Sequence, residues 1–456
     1  MVAINARAMA KKLSGKLNIL ELHSSMSYAG GGQRNVFTFC KYLNRDIFNV
    51  YAGSYLVGGA HEAKFAEIGV DFVVGDGTAG KILAFIDAKQ IDILHMHRSG
   101  HNVLIEDEIM LGAKKINPQI VIVEKNVFGK FDVKSTNLIA CSFFQSMMHI
   151  NERYLPTSNL NFDFDRMKVL YNSVDASYLS KFTAKADQIT AYKDSLGIQS
   201  GELVLGKISS GHIAKWSDLV IDAMPYLIKL IPDVKFILVG VPKSRLKLIN
   251  NSKYAKYFIL VDKINTETEE RLFYQSIDIL AHSSKIGECN GNAINEAMYW
   301  KKPVVVNSTP GRDNGQLEQV VNEKNGLIAN YPQTFARAIA YIFNNKDICN
   351  AMGEAGYKQV LTVNDPVNII NQFEKKTIEI FTGLDFKFEN TVLEYYNNVN
   401  YFPSKNDILN YKIEYGSRLS QNFDKLTNFE VLINYIKKPI KFYFKICDFL
   451  EHKLYS

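Results

Sequence analysis

Short apolar runs alternate with longer segments of helical periodicity along most of this chain. Apolar residues recur at helical spacing in Ser217–Leu230 and Gln333–Asn344, for example. Strands that alternate with helices form parallel sheets with helices packed on their faces, so the pattern predicts the α/β fold class. The runs that we interpret as buried strands are Leu17–Leu22, Ile91–Leu94, Ile120–Val123, Leu203–Ile208, Phe236–Val239, Ile277–Leu280 and Pro303–Val306.

A polar stretch without strand-like runs, from about Ala176 to Gly201, divides this series into two halves. A chain of 456 residues is long enough for two or three domains, each with its own core. We predict a lead at residues 1–15 and two Rossmann-like, doubly wound domains that face a cleft, at residues 16–180 and 181–365. Ligands of such sheets bind outside the carboxyl ends of the strands.

The composition changes after about Asp385, where Asn, Tyr, Phe and Lys become frequent and strand alternation ends. We treat residues 385–456 as a mostly helical C-terminal extension. A helix opened by Pro439 would be amphipathic and partly basic. Two interpretations stay open: this helix packs on the protein's own body, or residues 435–456 contact a membrane surface or a partner.

Composition and charge exclude several classes of protein. The net charge of +6 is small for this length, and no long Lys/Arg block indicates a nucleic-acid partner. The five cysteines are odd in number and far apart, so they indicate neither a disulfide framework nor a paired metal site. No apolar run is long enough for a signal peptide or a membrane-spanning helix. We therefore expect a cytoplasmic protein, with the C-terminal tail as its candidate contact to the inner face of a membrane.

The segment GECNGNAINEAM places two acids, Glu288 and Glu296, on either side of Gly291. Glycine allows the backbone to approach a ligand closely, and the N–H groups of Asn292 and Ala293 would open a helix whose dipole favours a diphosphate. Glu296 could accept hydrogen bonds from ribose hydroxyl groups, and Glu288 could face a sugar. The alternative is structural: Glu288 is a surface loop acid and Glu296 is an acid at a helix start.

Two lysines flank the loop that follows the strand Leu203–Ile208. Lys207 comes at the end of this strand, and Lys215 comes just before the next helix. Two ammonium groups at the carboxyl end of a strand could neutralise a diphosphate as it becomes the leaving group. Two solvated loop lysines are the alternative that the sequence leaves open.

The first half of the chain carries weaker signals. Gly31 and Gly32 belong to a run of three glycines between the first strand and a helix, which is also compatible with an ordinary turn. His95 and His97 lie two positions apart on a strand, so their side chains share one face, but no third metal ligand follows at a recognisable spacing. We interpret the Asp-Phe-Asp sequence at residues 163–165 as solvated acids. We therefore predict no metal site.

Five segments along the chain are more informative in their order than singly: YNSVD, GKISSGHIAKW, FILVG, SIDILAHSSKIGECNGNAINEAM and PVVVNSTPGRDNGQLEQVVNEKNGLI. This succession resembles glycosyltransferase family 4, retaining enzymes of the GT-B fold, and the resemblance extends over roughly Leu17 to Phe381. It implies transfer of a sugar from a nucleotide-diphosphate sugar to a hydroxyl group of a glycan or glycolipid acceptor, as in polysaccharide or glycolipid biosynthesis. It also implies that no metal or other cofactor is needed, and that residues 366–384 form a helix that returns to the N-terminal domain.

The resemblance assigns residues to the donor. Lys207, in the place of the family's usual arginine, and Lys215 would face the donor pyrophosphate. Glu288 would contact the donor sugar, and Glu296 would contact the ribose. The residues whose backbone would lie near the diphosphate are Gly31, Gly32, Gly291, Asn292 and Ala293.

On the acceptor side, His97 corresponds to the second histidine of a His-x-His sequence that the family carries at its cleft. The run VIVEKNVFG lacks the histidine that many relatives carry after this strand, and Asn126, with Glu124, is the candidate in its place. Two alternatives stay open: a nucleotide-sugar epimerase on the same fold, and a non-catalytic nucleotide-sugar-binding protein. A dehydrogenase is the least favoured class, because the G-x-G-x-x-G fingerprint is absent.

Overall fold

The computed structural model describes residues 14–26, 31–59, 62–98, 104–126, 136–148, 163–213, 215–264, 266–310, 312–419 and 421–425. Contacts between residues divide the chain into two compact units. The first unit comprises the residues up to Asp175 together with Val363–Ile413. The second unit comprises Ala176–Thr362 together with the residues from Glu414 onward.

The first unit is built on a parallel sheet, and the described part of the chain supplies seven strands to it. These strands are β1 (Leu17–Ser25), β2 (Phe48–Val57), β3 (Asp71–Val74), β4 (Ile93–His97), β5 (Val121–Asn126), β6 (Leu138–Cys141) and β7 (Met167–Val169). The helices between them include α1 (Gly31–Tyr42), α2 (Glu62–Glu67), α3 (Ala79–Ala88) and α4 (Leu104–Ile116). The strand order is β3-β2-β1-β4-β5-β6-β7.

The second unit repeats this plan with a parallel sheet to which the described residues supply six strands. They are β8 (Leu203–Ile208), β9 (Val234–Val239), β10 (Phe258–Val261), β11 (Ile279–His282), β12 (Val304–Val306) and β13 (Gly326–Ile328). Its helices include α5 (Ala176–Leu179), α6 (Ala186–Ser195), α7 (Leu219–Leu230), α8 (Lys243–Asn250), α9 (Glu267–Ser276), α10 (Asn292–Tyr299), α11 (Gln316–Gln319), α12 (Pro332–Asn344) and α13 (Lys346–Val363). The strand order is β10-β9-β8-β11-β12-β13.

The strand order reverses its direction at one point in each sheet. In the first sheet β1 lies beside β4, and in the second sheet β8 lies beside β11. At such a point the connections on either side leave toward opposite faces, which opens a crevice at the carboxyl ends of the two strands. This topology directs attention to the residues that end β4, β8 and β11.

The α/β class and the Rossmann-like sheets that the sequence predicts are confirmed. Each predicted strand run overlaps an observed strand, and the two predicted helices correspond to α7 and α12. Most strand positions are apolar because helices cover both faces, and β12, for example, is apolar and buried at every position.

After the second unit the chain returns to the first. Helix α14 (Pro366–Gly383) begins where Asp365 accepts hydrogen bonds from Val367 N at 2.6 Å and Asn368 N at 3.3 Å, with proline at the first helical position. Phe373 of this helix packs edge-on against Phe39 of α1, with 5.2 Å between ring centroids. The remaining helices of this region are α15 (Asn390–Asn397) and α16 (Lys405–Leu419).

The last described segment packs in the second unit, where Phe423 N donates to Ile328 O at 2.6 Å. Among the helices that the structure describes, none combines the length and the hydropathy needed to cross a membrane. The predicted amphipathic segment at residues 435–456 lies outside the described residues.

Candidate functional site

A buried lysine lies in β8, one of the two strands between which the strand order of the second sheet reverses. Lys207 lies in β8, is 1% exposed, and donates a hydrogen bond from Nζ to Ser283 O just beyond β11. Its ammonium group also lies 5.1 Å from the ring centroid of Trp216. Burial lowers the pKa of Lys207 to about 8, against the opposing charges of Glu288 and Asp218. Lys207 is therefore a positive charge held inside the protein at the edge of the sheet.

Glu288 lies in the loop after β11 and contacts two basic groups. Its Oε1 atom lies 3.0 Å from Nε2 of His282, and its Oε2 atom lies 3.5 Å from Nζ of Lys215. Burial alone would raise the pKa of Glu288, but Lys215, His282 and Lys207 outweigh burial and lower the pKa to about 2. Glu288 is therefore a carboxylate at neutral pH, in a site whose nearby charges are mostly positive.

Lys215 is the most exposed of the basic side chains that lower the pKa of Glu288. The charge of Glu288 raises the pKa of Lys215, so the group is an ammonium ion at neutral pH. The side chain is 35% exposed, whereas that of Glu288 is 13% exposed. An antiparallel bridge between Trp216 and Ser284, and a hydrogen bond from Lys285 N to Lys215 O at 3.1 Å, fasten the two loops together. The predicted residues Lys207, Lys215 and Glu288 are thus brought into one cluster.

Buried side-chain amides hold the loop that carries Glu288. Gln316 accepts a hydrogen bond from Glu288 N at 2.9 Å and donates to Asn307 O at 3.0 Å. Asn307 in turn accepts from Ser284 N at 2.9 Å and donates to Ser284 O at 3.0 Å. Gln316 is 1% exposed, so this bracing is part of the interior. The loops after β11 and β12 are therefore fixed to each other by side chains that the sequence analysis did not single out.

Gly291 is the residue from which α10 starts, and it has left-handed backbone angles (φ 49°, ψ 58°). A Cβ atom at this position would lie 2.9 Å from Ile294 Cδ1 and 3.0 Å from Gln319 Oε1. The left-handed backbone therefore favours glycine here, and a Cβ atom would also require the ends of these two side chains to shift. Asn292 and Ala293 are half-buried in the first turn of the helix, where backbone N–H groups point toward the N-terminus.

Glu296 lies one turn into α10 and is buried. Its Oε2 atom lies 3.0 Å from Nη1 of Arg271 on α9, and the two side chains are 9% and 3% exposed. The structure thus gives Glu296 a cationic partner within the second unit. Arg271 lies 25 positions earlier in the chain, on another helix, so its contact with Glu296 leaves no local signal in the sequence.

In the first unit, His95 and His97 converge on Glu21 of β1. His95 Nδ1 lies 3.0 Å from Glu21 Oε1, and His97 Nε2 lies 2.6 Å from Glu21 Oε2. Burial lowers the pKa of both histidines, that of His97 to about 3, and raises the pKa of Glu21. The cluster is closed on the other side by Asn35, whose Nδ2 lies 3.5 Å from His97 Nδ1.

Among the described residues, Glu21, His95 and His97 could also share a metal ion, since their ligand atoms lie within 4.8 Å of one another. The third ligand that the sequence analysis did not find is thus Glu21, an acid inside the apolar run of β1. However, 2.6 Å and 3.0 Å are hydrogen-bond distances, so each oxygen of Glu21 accepts a hydrogen bond from a neutral imidazole. The buried ammonium of Lys125 lowers the pKa of both histidines as well, and a second cation at this place would be repelled.

The strand that departs from the family pattern is β5. Lys125 donates from Nζ to Leu170 O at 2.9 Å, and burial lowers its pKa to about 7. Glu124 points to the other face of the sheet, where it accepts a hydrogen bond from Nη1 of Arg98 at 2.8 Å. Glu124 is therefore engaged in an internal ion pair. Asn126 ends β5, and its side chain lies outside the described residues.

The glycine run of the first unit is only partly described. Gly31 is the first residue of α1. A Cβ atom on Gly32 would lie 2.6 Å from His23 Nε2, so this position packs directly against a side chain of β1. Gly30 and Gly311 lie outside the described residues.

Comparison with known proteins covers both the sequence and the fold. Residues 188–359 match the family model of "Glycosyl transferases group 1". No curated protein matches the sequence significantly. Among solved structures, a glycosyltransferase from Rickettsia africae has a TM-score of 0.65 at 18% identity, over 80% of this chain and 99% of that chain.

Two further structures of the same fold are similar to this chain. HepE from Anabaena, crystallised in complex with UDP, has a TM-score of 0.63 at 18% identity, over 80% of this chain and 100% of that chain. Sucrose-phosphate synthase from Thermosynechococcus elongatus has a TM-score of 0.59 at 14% identity, over 81% of this chain and 100% of that chain. The chain therefore has the GT-B fold, and its residues 188–359 match the glycosyl transferases group 1 domain.

Proposed function

We propose that this chain is a retaining glycosyltransferase, which moves a sugar from a nucleotide-diphosphate sugar to a hydroxyl group of a glycan or glycolipid. One observation carries the proposal: Glu288 meets Lys215 and His282 at the carboxyl edge of the second sheet, three positions before the glycine that opens α10. This places a charged cluster and a helix N-terminus side by side. The family match over residues 188–359 supports the same activity.

Lys215 and the first turn of α10 would bind the donor diphosphate. Lys215 is a partly exposed ammonium ion, so it can contact an anion directly. The amides of Asn292 and Ala293 add the partial positive charge of a helix N-terminus. Lys207 is buried and hydrogen-bonded to a backbone carbonyl, so it would act on the diphosphate through its charge over a short distance.

Glu288 and Glu296 would recognise the sugar and the ribose. Glu296 is buried, Glu288 is partly buried, and both are held by basic partners, so hydroxyl groups of a ligand would meet acceptors whose positions are already fixed. Removing water from such a site strengthens each of these hydrogen bonds. Recognition would therefore depend on preorganised charge, without a metal ion or other cofactor.

Transfer with retention needs no side chain as nucleophile in this proposal. The bond between the anomeric carbon and the leaving phosphate oxygen breaks, and that oxygen takes the proton of the acceptor hydroxyl group. The acceptor oxygen then bonds to the anomeric carbon on the face that the phosphate leaves, which preserves the anomeric configuration. Lys215 and Lys207 stabilise the charge that develops on the diphosphate. His97 and Asn126 remain our candidates for the acceptor side.

Calorimetric titration with UDP, GDP, ADP and CMP, in physiological salt with EDTA, tests the donor site. UDP is the first choice because HepE was crystallised in complex with UDP. We expect the wild type to bind one of these nucleotides and Glu296→Gln to bind it about tenfold or more weakly, because a hydrogen bond to a charged group is lost. Glu354→Gln is the matched control, since Glu354 forms a half-exposed ion pair with Lys301 and should bind like the wild type.

Turnover distinguishes the proposed transferase from its alternatives. Incubation of the bound nucleotide's sugar derivatives with glycan and glycolipid acceptors should release nucleoside diphosphate and form a glycoside of unchanged anomeric configuration. An isomerised nucleotide sugar without acceptor would indicate an epimerase. Binding without any turnover would indicate a binding protein. Failure of all four nucleotides to bind would exclude the donor site itself.

A further inference from the structure

His282 is a buried histidine to which the proposed mechanism assigns no role. It is the last residue of β11 and is 5% exposed. Its Nε2 atom lies 3.0 Å from Glu288 Oε1. Its Nδ1 atom is buried and has no hydrogen-bond partner within the described ranges. The two nitrogens of this ring therefore differ sharply in their surroundings.

This difference determines the protonation of the ring. Glu288 is a carboxylate, which can only accept, so the proton must be on Nε2. A second proton on Nδ1 would bury an N–H group without an acceptor. Burial lowers the pKa of His282, and Lys207 and Lys215 lower it further against the opposing effect of Glu288. His282 is therefore a neutral imidazole that donates from Nε2 at neutral pH.

Glu288 is held at two points by groups that are not ligands. Gln316 fixes its backbone N–H, and His282 fixes its Oε1 atom. The remaining oxygen, Oε2, lies 3.5 Å from Lys215 Nζ. A strong hydrogen bond between an ammonium ion and a carboxylate is about 2.7–2.9 Å long, so this contact is loose. Oε2 therefore keeps the capacity to accept a hydrogen bond from a ligand.

We propose that His282 is a positioning residue for the donor sugar, which fixes one oxygen of Glu288 so that the other is presented, beside Lys215, to a sugar hydroxyl group. This inference rests on the proposed function, because it requires that Glu288 faces the sugar. It makes the role of His282 specific: recognition of the sugar depends on it, whereas recognition of the nucleotide does not. A residue that only supported the fold would affect both parts of the donor alike.

Two substitutions of His282 separate these roles. His282→Phe keeps an aromatic ring in the interior and removes the N–H donor. His282→Gln retains an amide N–H near the position of Nε2. Each variant, Glu288→Gln, and the double variant of His282→Phe with Glu288→Gln are titrated with UDP and with UDP-glucose. Their rates of UDP release from UDP-glucose and their melting temperatures are then measured, with the GDP and ADP pairs used if the wild type prefers those bases.

We expect the dissociation constant of His282→Phe for UDP to lie within about twofold of the wild-type value. The loss of one hydrogen bond to UDP would change it more than this. The kcat/KM of His282→Phe for the nucleotide sugar should fall about tenfold to a hundredfold, the effect of losing a hydrogen bond to a charged group. His282→Gln should recover most of this loss. The double variant should be no slower than Glu288→Gln alone, because His282 acts through Glu288.

Three results would overturn the positioning role: equal losses for UDP and UDP-glucose, additive losses in the double variant, or an unchanged His282→Phe enzyme. A wild type that binds no nucleotide and consumes no nucleotide sugar overturns the proposed function instead, and the role of His282 in sugar recognition with it. Nitrogen-15 NMR of the full-length protein tests the geometry separately. At neutral pH Nε2 of His282 should carry the single proton of the ring, and a proton on Nδ1 would contradict the neutral imidazole that donates to Glu288.

Discussion

Nη1 of Arg271 lies 3.0 Å from Oε2 of Glu296, and both side chains are buried in the second unit. The pair joins α9 to α10, two helices that flank the candidate donor site. A buried carboxylate is stabilised by a positive charge in contact with it. Arg271 therefore contributes to the charge balance and to the placement of Glu296.

Replacing Arg271 by methionine should destabilise the second unit by about 3–5 kcal/mol, because the buried carboxylate of Glu296 loses a buried cationic partner. Guanidinium unfolding followed by tryptophan fluorescence measures this, since both tryptophans of the chain, Trp216 and Trp300, lie in the second unit. Adding Glu296→Met to Arg271→Met should restore most of the free energy of unfolding. A single variant as stable as the wild type would contradict the ion pair.

Gly287 should tolerate no side chain. Its φ angle is +82°, and a Cβ atom would lie 1.5 Å from Asp313 O and 2.6 Å from Thr309 Oγ1. Gly287→Ala must therefore move the loop that carries Glu288, and we expect nucleotide-sugar turnover to fall at least about 100-fold. Gly416→Ala is the control: no atom lies within 4 Å of its Cβ position inside α16, so this change should leave turnover unaltered. An active Gly287→Ala enzyme would show that the loop position is not needed.

Lys207 predicts a specific dependence of stability on pH. Its pKa in the folded protein is about 8, below the ordinary value of 10.5, so the folded state disfavours the proton. The stability that this group contributes is present above pH 10.5 and is lost as pH falls to about 8. Relative to Lys207→Met, the free energy of unfolding of the wild type should increase by roughly 3 kcal/mol as pH rises from about 8 to about 10.5. Parallel curves for the two proteins, measured by tryptophan fluorescence, would contradict the lowered pKa.

Lys215→Met should weaken binding of the nucleoside diphosphate and reduce turnover about 100-fold or more, because one charge that stabilises the leaving group is removed. Lys215→Arg keeps the charge and should retain most of the affinity. Lys215→Arg should leave the melting temperature nearly unchanged, whereas Lys215→Met should lower it, because Glu288 loses the largest of the charges that offset its burial. Calorimetry and kinetics in EDTA measure both effects. Equal activity of Lys215→Met and the wild type would remove Lys215 from the site.

The basic, aromatic tail gives a prediction about membranes. We propose that residues 435–456 contact anionic lipid, and a chain that ends at Lys425 should then lose binding to vesicles of phosphatidylglycerol and phosphatidylcholine. A cut at this point spares Phe423, which is hydrogen-bonded to the end of β13, whereas a cut after Asp385 would also remove helices α15 and α16. Sedimentation with vesicles measures the difference. Unchanged binding of the shortened chain would exclude the tail as the contact.

Seven of the described strands could be predicted from sequence because parallel strands covered on both faces are often continuous apolar runs. Among the others, Met167–Val169 and Gly326–Ile328 have too few positions to show a periodicity, and Phe48–Val57 has polar and small residues among its apolar ones. The start of α10 was also readable, because Gly291 interrupts a helical pattern between two acids. Local pattern thus gives the elements and the ends at which chemistry can occur.

The partners of the site residues could not be predicted in this way. Arg271, His282 and Gln316 reach Glu296 and Glu288 from other elements, and their proximity depends on which strands are neighbours in the sheet. Glu21 did leave a signal, since an acid inside the apolar run LNILEL must find a partner in the interior. That partner proved to be the pair of histidines on β4, the strand beside β1.

The division of the first unit into two separated stretches has a consequence for synthesis on the ribosome. On the first sheet, the ring of His95 stacks on that of Phe373, with 4.8 Å between ring centroids, and Phe373 belongs to a helix that is synthesised only after the second unit. During translation the N-terminal sheet therefore lacks its contact with Phe373 while roughly 190 residues of the second unit are synthesised. At about 5–20 residues per second this interval lasts about 10–40 s. Nascent chains stalled within this interval are the species that chaperones would meet.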